Sequence, residues 1–145
     1  TSAIKTTQNN KDLLNCQNPS RIAETPKSLA TNPKQLGPLQ APDQNGVRLP
    51  KGFKSRIVAE SGKAPSKSSY IWHGAPDGGA VYAKSDGGWI YVSNSELNDG
   101  NGGVGALEFA SDGRVVNAYS ILKNTTRNCA GGVTPWNTWL SCEEF

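Results

Sequence analysis

With 145 residues, 35% of them hydrophobic, and a net charge of +3, the chain has room for one domain or two small ones. Sixteen glycines and nine prolines exclude a leucine-rich bundle or coiled coil, and there is no run of about 18 apolar residues to form a membrane-spanning helix. Residues 1–67 carry 11 Lys/Arg against 4 Asp/Glu and residues 68–145 carry 4 against 8, but the basic residues stand singly without interleaved aromatics, which argues against a nucleic-acid partner.

Residues 1–46 read as a basic, Pro-rich arm. Five of the nine prolines fall between Pro19 and Pro42, and the apolar side chains are isolated. Such a segment buries too little to offset chain entropy. It is expected to be an extended arm docked on a neighbouring subunit, or a disordered leader. Pro26 opposes a short helix over Ser20–Ala30. The chain opens at Thr1, so either a leader has been removed or this is a piece of something longer, and the stop at Phe145 inside a strand-like pattern is expected to reflect truncation.

The body, residues 47–145, has a different character. Leu49–Phe53 is a turn entering an expected strand at Lys54–Glu60. A Gly/Pro/Ser loop covers Ser61–Ser69, Tyr70–Gly74 is a short apolar piece, and Pro76-Asp77-Gly78-Gly79 signals a turn. Two hairpins follow. Ala80–Ala83 and Trp89–Ser93 flank Asp86-Gly87-Gly88; Val104–Phe109 and Arg114–Leu122 flank Ser111-Asp112-Gly113. Val133–Trp136 is expected to turn, and Trp139–Glu144 to be the last strand. Short sequential strands predict an all-β fold of antiparallel meanders. About two blades of a β-propeller would accommodate them, too few to close a ring.

Three cysteines, Cys16, Cys129 and Cys142, cannot all pair within the chain. With no C-x-x-C and one histidine, His73, a zinc finger is excluded. His73 lies beside Trp72 in an apolar run and reads as structural. Trp72, Trp89, Trp136 and Trp139 read as blade-packing residues.

Two stretches carry candidate chemistry. Ser93–Gly103 leaves a strand and becomes rich in oxygen and glycine. It offers what calcium takes, carboxylate, amide and backbone oxygens, but lacks the EF-hand spacing. A solvated polar loop is the competing reading. The second stretch, Thr126–Glu144, places Cys129 in an expected Gly-Gly turn, with Glu143 and Glu144 on the strand that follows. Neighbouring strand residues face opposite ways, so only one of the two acids can face Cys129. A thiolate among carboxylates suits a ferric site. A Cys129–Cys142 disulfide, or Cys142 as a small buried apolar residue, remains open as an alternative.

Asn128-Cys129-Ala130-Gly131-Gly132, followed by Thr134-Pro135-Trp136-Asn137-Thr138-Trp139-Leu140-Ser141-Cys142-Glu143-Glu144, resembles the PhoX-type alkaline phosphatase family. Trp89–Glu96 is similar to the same family, and Leu49–Phe53 more loosely so. The resemblance implies an exported (periplasmic or extracellular) β-propeller in which an Fe3+ and Ca2+ cluster hydrolyses phosphate monoesters. It implies Cys129 as an iron ligand, Glu144 as a calcium ligand with Glu143 as its neighbouring candidate, Glu96 as a further ligand, and Asn94 beside the phosphate. The other ligands and the cationic phosphate clamp are expected in the remaining polypeptide of the propeller, past Phe145. The competing function is a non-catalytic, calcium-stabilised extracellular scaffold or assembly subunit.

Overall fold

The computed structural model describes residues 2–4 and 36–144. The arm expected over residues 1–46 falls mostly outside them, as do Pro26, the Ser20–Ala30 segment and Cys16. Among the described residues every regular element is a strand: β1 (Ser2–Ile4), β2 (Pro76–Ala83), β3 (Trp89–Ser95), β4 (Gly102–Phe109), β5 (Val115–Thr125), β6 (Asn128–Val133) and β7 (Trp139–Glu143). The all-β expectation holds. No helix among these residues is long and apolar enough to cross a membrane.

One compact unit includes Val58–Phe145 and the N-terminal strand; the other is Thr7–Ile57. In the second unit Asp43 organises the described chain. Its carboxylate accepts from the Asn45 and Val47 amides at 2.9 and 3.0 Å and from the Ser55 hydroxyl at 2.5 Å. These bonds hold its carboxyl below the usual range, the Ser55 bond contributing most. The strand expected at Lys54–Glu60 does not form. Its apolar residues lack a ladder partner, and Ile57 remains largely exposed.

The first unit contains a four-stranded antiparallel sheet in the order β2-β3-β4-β5, and a three-stranded sheet in the order β1-β7-β6. Sequence chemistry explains the hairpins. Between β2 and β3, Lys84 N–H donates to Gly88 O, Asp86 Oδ1 accepts from Gly88 N–H, and Gly87 takes the left-handed position at φ +81°. Between β4 and β5, Asp112 and Gly113 repeat the arrangement. The β6–β7 turn uses Asn137 at φ +62° where the others use glycine, a weaker signature for the same backbone.

Strand β4 is covered on both faces. One face packs Leu107 and Phe109 with Trp72 and Ala118, and Trp89 stacks on Phe109 at 5.1 Å. The other packs Val104 and Ala106 with Val92 and with Trp139 from β7. Trp139 therefore joins the two sheets. Trp136 departs from the packing expected of the tryptophans: it stands 65% exposed at the β6–β7 tip.

Two local expectations are corrected. Pro76–Gly79 is the start of β2, with an irregular register between Pro76 and Gly79, rather than a turn. Cys129 lies on β6, in a bulge between Asn128 and Gly131, rather than in a Gly-Gly turn. In both places the glycines serve close backbone approach. A Cβ on Gly78 would stand 2.6 Å from the Cys129 carbonyl oxygen.

Candidate metal centre

The site is assembled from the ends of three strands. Asp77 enters with β2, Glu96 follows β3, and Cys129 sits in the β6 bulge. One ligand atom from each lies within 4.8 Å of the other two. The backbone secures these positions. Glu96 N–H donates to Ala75 O at 2.9 Å, and Ser95 Oγ donates to Gly74 O at 3.0 Å, so the end of β3 is tied to the approach to β2. Ala75 and Arg127, each just before a site-bearing strand, adopt left-handed φ values of +43° and +47°. For non-glycine residues each costs about 1 kcal/mol or more.

Glu144 completes the surroundings of the thiol. Its amide donates to Arg127 O at 3.1 Å, and its carbonyl accepts from Arg127 Nε at 3.0 Å. The Cys129 thiol is pushed up to about 11. The largest cause is its hydrogen bond to the Asp77 carboxylate; burial, the Asp77 charge and then Glu144 add to it. Glu143 turns elsewhere: its Oε1 accepts from the Thr126 amide at 2.6 Å. Of the two consecutive acids, Glu144 is the one beside Cys129, as strand alternation requires.

Cys129 and Cys142 are both free thiols, so the disulfide alternative is absent. Asn94 is fully buried, and its amide bonds protein groups on every side. His73 stands apart from the acids and the thiol. Its Nδ1 meets Tyr70 OH at 3.1 Å and its Nε2 meets Ser93 Oγ at 3.3 Å, while burial lowers its pKa.

In the sequence Asp77 carries only a turn signal. The clue lay in the two glycines after it, which mark close backbone approach as readily as a turn. Without a counter-ion, two carboxylates and a thiolate this close would repel one another, and the thiol instead keeps its proton. A cation would take that proton's place. The mixed sulfur and oxygen donors fit ferric iron better than calcium, which takes oxygen ligands alone.

Residues 78–145 match the family model described as Alkaline phosphatase PhoX. The match covers the quoted motifs from β3 to β7 and begins after Leu49–Phe53. No curated protein and no solved structure matches the chain.

Proposed function

We propose, from a chain whose residues 78–145 match the alkaline phosphatase PhoX family model, that this protein takes part in metal-dependent hydrolysis of phosphate monoesters. The observation that carries the proposal is the convergence of Asp77, Glu96 and Cys129 within 4.8 Å, with Glu144 beside the thiol. In this reading Cys129, Asp77 and Glu96 hold Fe3+, and Glu144, beside the thiol, serves Ca2+, while Glu143 is turned to the Thr126 amide. When bound, such ions supply Lewis acidity toward a phosphoryl oxygen and neutralise charge on the transferring group.

The residues themselves have defined tasks. In the metal-free state the Asp77 carboxylate accepts a hydrogen bond from the protonated Cys129 thiol and turns to the same point in space. Glu96 is delivered by the rigid end of β3, and Arg127 fixes the backbone of Glu144. The two sheets are proposed as successive propeller blades. A phosphate ester as substrate, further blades of the same propeller as neighbours, a docking role for the N-terminal arm, and an exported location belong to the same proposal.

Elemental analysis of the full protein, paired with turnover of p-nitrophenyl phosphate, tests it. Iron together with calcium is expected, with activity lost to a chelator and lost in Cys129→Ala. Calcium without iron, and no turnover, would support the scaffold function instead. Unchanged turnover in Cys129→Ala would remove the thiol from the centre.

A further inference from the structure

The β6 bulge creates a problem that β3 solves. Between Asn128 and Gly131 the β6–β7 register shifts. A bulge interrupts the regular ladder, and carbonyls in it that lose their ladder donors are satisfied from elsewhere. The Asn94 carboxamide supplies them. Its Nδ2 donates to Cys129 O at 2.9 Å and to Ala130 O at 3.0 Å. Its Oδ1 accepts from Trp139 Nε1 and from Ser141 Oγ, both at 2.9 Å. All four hydrogen-bonding positions of the amide are occupied.

The anchors of this amide are themselves held. Ser141 Oγ accepts from Asn128 Nδ2 at 2.9 Å, and Asn128 Oδ1 accepts from Thr125 Oγ1 at 2.5 Å. Asn94, Asn128 and Ser141 are 0%, 1% and 2% exposed. From the other side, Gly78 leaves room for the same Cys129 carbonyl. Asn94 lies on β3 and Glu96 follows directly after its last residue, so one short segment carries both a ligand and the clamp for a second ligand.

We propose that Asn94 is a positioning residue: its carboxamide clamps the Cys129–Ala130 bulge and so sets where the Cys129 sulfur meets Asp77 and Glu96. This role differs from contact with the phosphate, since the amide has no free donor to offer. The inference rests on the metal-centre reading above. Partners that orient a metal ligand typically contribute about 10- to 100-fold in metal affinity.

The test is titration of the full chain with cobalt(II) chloride, following the thiolate-to-cobalt charge-transfer band. Wild type is expected to show the band and Cys129→Ala to lose it. A wild type without the band would overturn the metal-centre reading and this inference with it. Given the band, Asn94→Ala is expected to bind cobalt at least about 10-fold more weakly. Phe109→Leu, in the opposite core cluster, is expected to lower stability and retain wild-type cobalt affinity. Asn94→Ala with wild-type affinity would overturn the positioning role and leave the centre standing. Should Asn94→Ala fail to fold, Gly78→Ala moves the same carbonyl by placing a Cβ against it. An equal loss of cobalt affinity is expected there, and wild-type affinity in that variant would overturn the role.

Discussion

Asp77→Asn isolates the interaction that governs the Cys129 thiol. The carboxylate is the largest cause of a shift from 9.0 to about 11, both as a hydrogen-bond acceptor and as a nearby charge. An amide can still accept a hydrogen bond but carries no charge. A full return to the ordinary value would raise the thiolate fraction at pH 8 about 100-fold. The less basic thiolate is also a weaker nucleophile, which offsets up to about 10-fold of that gain. The net expectation is an alkylation rate about 10-fold above wild type, or about 3-fold if burial and Glu144 keep half of the shift. The assay is iodoacetamide modification of metal-free protein, with Cys16 and Cys142 replaced by serine in both chains. A rate at or below that of the matching chain with Asp77 intact would refute the account of the thiol's surroundings.

Stability offers two further checks. Asn128→Ala removes the acceptor of Thr125 Oγ1 and one of the two partners of Ser141 Oγ, and is expected to lower unfolding stability by about 1–3 kcal/mol; a loss under about 0.5 kcal/mol in chemical denaturation would show that the polar network contributes little. In the metal-free protein the unfolded thiol ionises near 9.0 while the folded one holds its proton to about 11. Stability should therefore fall as pH rises from about 9 to about 11, since the folded state binds the extra proton there. Cys129→Ser should lack that component, and parallel pH profiles for the two proteins would contradict the raised thiol.

The hairpins were readable because Asp-Gly turns encode their own backbone. Asp86-Gly87 and Asp112-Gly113 stand where side-chain acceptors and left-handed glycines are needed. β6 was hidden because its glycines permit close approach to β2 and β7, while composition suggested a loop. The strand expected at Lys54–Glu60 failed for the opposite reason: local β-propensity does not supply a partner. Within the site, alternation already separated Glu144 from Glu143, and Cys129 and Glu96 stood out by chemistry. Asp77 did not, because its role arises from a register irregularity that brings distant segments together. The four bonds of Asn94 were equally beyond the sequence, since they depend on how one sheet lies on the other.

That dependence has a consequence for how the sheets mate. Oily surfaces such as those of Trp139, Val92 and Val104 attract one another with little regard for alignment. A slip of β6 by one residue would reverse its side chains and strand buried amides and carbonyls without partners. The mismatched docking would thus be rejected by unmet polar groups even where greasy contact was preserved. In this molecule the interior hydrogen bonds act as the selector among alternative assemblies, and the hydrophobic residues supply the adhesion.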